Sequence, residues 1–81
     1  MPSKRISGYL CYFVSYDCTE PAHIHLAKGS DRRAPSAKFW LEPVELSQNR
    51  GLSRRELQDA GRIVEENRLL FLEMWHEHCN D

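Results

Sequence analysis

The 81-residue sequence has no apolar run near the roughly 18 residues that cross a bilayer as a helix, and no glycine-rich phosphate loop among its four glycines. A membrane-spanning helix and a nucleotide-cradling loop are therefore both excluded. Neither sign of charge predominates, because eleven Lys and Arg stand against twelve Asp and Glu for a net charge of −1. No global field draws the chain to nucleic acid or to anionic lipid, so such binding would need a local patch. Cysteine is scarce and odd in number: Cys11, Cys18 and Cys79 include no Cys-x-x-Cys pair. That arithmetic argues against a zinc ribbon or a disulfide framework and predicts reduced thiols. No secretory apolar core follows Met1-Pro2-Ser3-Lys4-Arg5, so the expected compartment is the cytoplasm. No defensible Ser-His-Asp order and no aromatic-basic interleaving of a single-strand nucleic-acid platform is present. What remains is a globular composition, 41% hydrophobic and 28% charged, in a chain too short for two cores, which predicts one domain over residues 1–81.

The first half reads as strands. Gly8 to Tyr16 is uncharged, rich in aromatic and branched residues, and ends in the turn signal Asp17-Cys18-Thr19-Glu20-Pro21. Ala22 to Ala27 alternates, which sets Ala22, Ile24 and Leu26 against His23 and His25, since strand side chains repeat every two residues. Lys28 to Pro35 is a polar loop carrying Arg32 and Arg33. Ala37, Phe39 and Leu41 then oppose Lys38 and Trp40, Pro43 breaks or edges that strand, and Val44 with Leu46 suggests a short fourth strand before Ser47-Gln48-Asn49-Arg50-Gly51 turns the chain.

The second half reads as one helix from Ser53 to about His76. Ser53-Arg54-Arg55-Glu56 matches a capping box, in which Ser and Glu satisfy each other's unpaired backbone donors. At 100° per residue Leu57, Ala60, Val64, Phe71 and Trp75 form a stripe flanked by Ile63, Leu70 and Met74, while Leu69 points away. Gly61 beside the stripe predicts a close approach of helix to strand, and Asn67 within it must find hydrogen-bond partners or stand at the sheet margin. The expected fold is α+β: a three- to four-stranded, mostly antiparallel sheet packed on one long C-terminal helix. Arg50, Arg54 and Arg55 read either as solvated surface or as a patch for a phosphate or an acidic partner.

All four histidines occur in His-x-His pairs, His23-Ile24-His25 and His76-Glu77-His78. On a strand His23 and His25 place two imidazoles on one face, within chelating reach of Zn²⁺ or another borderline metal. A third ligand would have to come from Cys18, Glu20, His76, His78 or Cys79. The same imidazoles suit general acid and base work in metal-free RNA cleavage, with Arg32 or Arg33 steadying negative charge. The third reading is a binding surface: a sheet covered by one helix leaves an outer face bearing His23, His25, Lys38 and Trp40, which with Arg50, Arg54 and Arg55 would dock a small protein or a second copy of the chain. On the helix His76 and His78 diverge by roughly 200°, His78 toward the stripe and His76 toward solvent.

The order Glu20-Pro21-Ala22-His23-Ile24-His25-Leu26, Ala37-Lys38-Phe39-Trp40-Leu41, Asn49-Arg50-Gly51-Leu52, then Leu57, Val64-Glu65-Glu66-Asn67 and Trp75 resembles the domain of unknown function 4160 family, small prokaryotic proteins with a strand-rich first half and a C-terminal helix. The likeness runs from about Ser7 to His78. It departs at Ala22, where the family often has a second proline, and at Ile24, where an aromatic or valine is common. The resemblance implies no established reaction. It implies a gene neighbour, another small protein, in an arrangement similar to toxin-antitoxin modules. The functional expectation is a small cytoplasmic interaction module, with a His23/His25 metal-binding or ribonuclease-type enzyme as the alternative.

Overall fold

A computed structural model describes residues 3–14, 17–29 and 33–79. The chain begins with two short strands, β1 (Ser3–Ile6) and β2 (Tyr9–Tyr12). They are joined through Ser7 and Gly8, whose φ angles of 51° and 85° are the positive pair that a two-residue hairpin needs. A 3-10 turn at Asp17–Thr19 leads to β3 (His23–Lys28), β4 (Ser36–Leu41) and β5 (Val44–Arg50). The five strands form one sheet in the order β1-β2-β3-β4-β5, every neighbouring pair antiparallel. Two features correct the expectation of three or four strands. First, β1 carries Lys4 and Arg5, whose charge suits an edge strand and hides it from a search for apolar alternation. Second, β5 continues to Arg50 because the Asn49 side chain pairs with the backbone of Leu52 in both directions, at 2.9 and 3.0 Å. The turn then falls on Gly51, at φ +99°.

The capping box is present: Ser53 Oγ accepts from the Glu56 amide at 3.1 Å and Glu56 Oε1 accepts from the Ser53 amide at 2.9 Å. It opens α1 (Arg54–Glu66), which buries Ala60, Ile63 and Val64 over β4 and β5. The single long helix is corrected to two, because Asn67 ends α1 and Arg68–Cys79 forms α2. The Asn67 side-chain and backbone N–H groups both donate to the Ile63 carbonyl, at 2.9 and 3.0 Å. A short amide that competes in this way for the carbonyl of the previous turn interrupts a helix. No helix among the described residues is long and apolar enough to cross a membrane.

The break lets α2 leave the sheet face and cross the strand ends. Arg68 Nε donates to the carbonyl of Leu41, the last residue of β4, at 2.8 Å. Near the other end of α2, His78 Nε2 donates to the carbonyl of Val14, just past β2, at 2.9 Å. Phe71, Met74 and Trp75 of α2 close the core, into which Cys11, Phe13, Ile24, Leu26, Phe39 and Leu41 also point. The stripe keeps its phase through the break, since Phe71 is fully buried while Leu69 is 72% exposed. Gly61 does not mark a forced approach: a Cβ there would lie 3.7 Å from the Phe39 ring, an ordinary contact.

The expectation of reduced thiols throughout is also corrected. Cys18 and Cys79 form a disulfide across 61 residues of sequence, with Cα atoms 5.6 Å apart, and only Cys11 is free. Spacing along the chain could not reveal this pair, because α2 brings Cys79 back to the β2–β3 connection only after folding.

Candidate functional site

Antiparallel partners share a face, so pairings of Tyr12 with His25, His25 with Lys38 and Lys38 with Gln48 form one row on the side of the sheet away from the apolar core. His23 pairs with Trp40, and Trp40 with Glu45, in the next row. The predicted shared face of His23 and His25 is therefore present, with ring centroids 5.2 Å apart, edge to face. Their environments differ sharply. His23 is fully buried, its Nδ1 donating to the Pro21 carbonyl at 2.9 Å and its ring lying 5.1 Å from that of Trp75. The expected exposed cluster thus loses His23, because α2 crosses the sheet end where β3 begins. His25 remains half-buried and stacks on Tyr12 at 5.2 Å.

Of the residues named as a third metal ligand, Cys18 and Cys79 are bonded to each other and His78 Nε2 serves the Val14 carbonyl while its ring stacks on Phe13 at 5.3 Å. Glu20 faces Lys38 in an ion pair and stands 3.8 Å from His23 Nδ1, and His76 is exposed. Among the described residues no group of three or more His, Cys, Asp or Glu converges as a metal centre would.

A cleft of about 230 Å³ opens on the outer face, lined by Tyr12, His25, Ser36, Lys38, Gln48 and Arg50 among others, and no helix residue lines it. Among the described residues its walls carry an imidazole, a guanidinium and the Lys38 ammonium, which is paired with Glu20, but no carboxylate of their own. Beside it Lys38 Nζ also lies 4.7 Å from the Trp40 ring centre, a cation–π arrangement that holds both side chains in place. The sheet thus brings His25, Lys38, Trp40 and Arg50 to one surface. Arg54 and Arg55 start α1 and stand apart from it, Arg33 is exposed in the β3–β4 connection, and Arg32 lies outside the described residues.

Cys11 belongs to the core. Its thiol is fully buried, and burial pushes its pKa from an ordinary 9.0 up to about 12, so it is no nucleophile near neutrality. Between those two values the unfolded chain has released a proton that the native protein still holds. Stability is therefore expected to fall as pH rises from 9.0 towards about 12, by about 1.4 kcal/mol per pH unit for this group. The Tyr9 hydroxyl, raised chiefly by burial, acts in the same direction. Urea unfolding across that window checks it: Cys11→Ala should flatten the slope, and a pH-independent wild type would contradict it.

These features define a class: a small α+β protein built on an open antiparallel meander, with a cationic and aromatic face that its own helices leave open. The family described as Domain of unknown function (DUF4160) matches residues 8–76, and the chain belongs to it. The structure accounts for several residues in which the family likeness consists. Asn49 and Gly51 turn the chain so that Leu52 is buried, Asn67 separates the helices, and Trp75 packs beside His23. No curated protein and no solved structure matches the chain.

Proposed function

We propose that this chain is a protein-interaction module that docks a small partner with an acidic surface on the outer face of its sheet. We further propose that it is one half of a cytoplasmic two-protein pair of the toxin-antitoxin kind. The observation that carries the reading is the cleft between Tyr12, His25, Lys38 and Arg50, whose lining among the described residues holds the exposed Arg50 and the Glu20-paired Lys38 but no carboxylate and no helix residue. Half-buried aromatic side chains already held in place, as Trp40 is by Lys38 and His25 by Tyr12, bind a partner at low entropic cost and are the usual anchors of an interface. The burial of His23 supports binding over catalysis, since an acid–base pair needs both imidazoles within reach of substrate.

Co-expression with a small protein encoded beside it, the neighbour that the family resemblance implies, is the test. Wild type is expected to form a complex that weakens about tenfold or more with Trp40→Ala and with Lys38→Glu plus Arg50→Glu, both at positions that are not fully buried. A complex indifferent to those substitutions would refute the docking face. RNA cleavage abolished by His25→Ala would refute the module and favour the enzyme.

A further inference from the structure

We propose a second docking site, independent of the outer face: the groove between β5 and the first turns of α1 takes an extended apolar segment with acidic side chains from another protein and adds it to the sheet as a sixth strand. β5 is the last strand in the sheet order, so one of its edges has no strand neighbour. It is also exposed from Glu45 to Arg50. Natural edge strands are usually short or covered, and at seven residues this one is neither. Beside it lies a groove of about 410 Å³, lined by Phe39, Leu46, Leu52, Leu57 and Arg54 among others. Leu46 is 48% exposed, one of two large hydrophobic residues left open among the described residues.

The register explains why edge and groove act together. Leu46 pairs with Phe39 and Asn49 with Ala37, which places Leu46 and Asn49 on the helix side of the sheet. A strand added to β5 would present every second side chain to that same side, over the apolar groove. The combination of backbone pairing with pockets for alternate side chains is the general mode of strand addition.

Charge selects the occupant. Arg54, which lines the groove, and Arg55 begin α1. Among the described residues neither takes part in an ion pair. Two acids of the same helix are engaged elsewhere, Glu56 in the capping box and Asp59 with Arg62 at 3.4 Å. Carboxylates flanking the apolar positions would meet these guanidinium groups. A second copy of the chain fits less well, because its own β5 brings one acid, Glu45, and one arginine, Arg50, and so no net negative charge to meet Arg54 and Arg55.

Random-sequence peptides displayed on phage and selected on the intact protein test the site. The enriched peptides are expected to alternate apolar residues with Asp or Glu and to slow hydrogen exchange of the β5 amides. They should lose about tenfold in affinity on Leu46→Lys and on Arg54→Glu, and bind Lys38→Glu unchanged, which separates this groove from the outer face. No enrichment, or enriched peptides indifferent to Leu46→Lys, would overturn the proposal. So would tight binding that survives Arg54→Glu together with Arg55→Glu. A dimer in sedimentation that Leu46→Lys dissociates would assign the groove to a second copy instead.

Discussion

Cys18→Ser, Cys79→Ser and the reduced wild type are each expected to be about 4 kcal/mol less stable than the cross-linked protein. A bond spanning 61 of the 81 residues closes most of the chain into a loop, and the chain-entropy account assigns about 4 kcal/mol to a loop of that length. The cross-link ties the last residue of α2 to the turn before β3, while Arg68 fastens the other end of that helix to Leu41. In a domain this small such a loss is a large part of the total stability, and the melting temperature should fall by roughly 15 °C or more. Scanning calorimetry with and without reductant checks it: the serine variants should ignore reductant and melt with the reduced wild type. Oxidised and reduced wild type melting together would refute the prediction. Disulfides persist in oxidising compartments and are transient in the cytosol, so in a cytoplasmic protein this one would make the seating of α2 depend on redox state.

Trp75→Ala and Phe71→Ala are each expected to cost about 3–5 kcal/mol. Phe71 is fully buried and Trp75 is 6% exposed. The Trp75 ring lies edge-on to Phe13 at 5.8 Å and 5.1 Å from His23, so truncation opens a cavity where α2, β3 and the end of β2 meet. The surrounding residues are held by sheet pairing and cannot collapse into it. Leu69→Ala, two positions before Phe71, should stay within about 0.5 kcal/mol of wild type because that side chain faces water. Urea denaturation of the three variants settles the ranking, and Leu69 as the most damaging site would refute the burial pattern. Losses at Phe71 and Trp75 should not sum, since neighbours in one core couple.

Much of the frame was legible in the residues themselves. Alternation over Ala22 to Ala27 and Ala37 to Leu41 marked two central strands, because a half-covered sheet forces a period of two. The Ser53–Glu56 box marked the helix start, because the pairing it describes is local. The phase of Phe71, Trp75 and Leu69 held for a related reason: the apolar residues of α2 keep their direction even though Asn67 ends α1. The family likeness was readable from the order of its motifs, which the match over residues 8–76 shows. β1 and the far half of β5 were not legible, since edge strands need little apolar pattern and their side chains resemble those of loops. The helix break was illegible too, although Asn67 was its signal: a polar residue in an apolar stripe does not say whether it pairs across to the sheet or back along its own helix.

By itself the sequence determined an α+β fold with antiparallel strands, the start of α1, the inward face of its helices and the shared face of His23 and His25. All of these follow from periods of 2 and 3.6 residues and from contacts within a few residues. Only the tertiary structure decided that His23 is buried while His25 is reachable, that Cys79 meets Cys18, and that Arg50 lines the outer cleft while Arg54 lines the groove beside β5. Each depends on where α2 crosses the strand ends or how α1 lies along β5. Such placements are set by packing between residues distant in the chain, which no local period records.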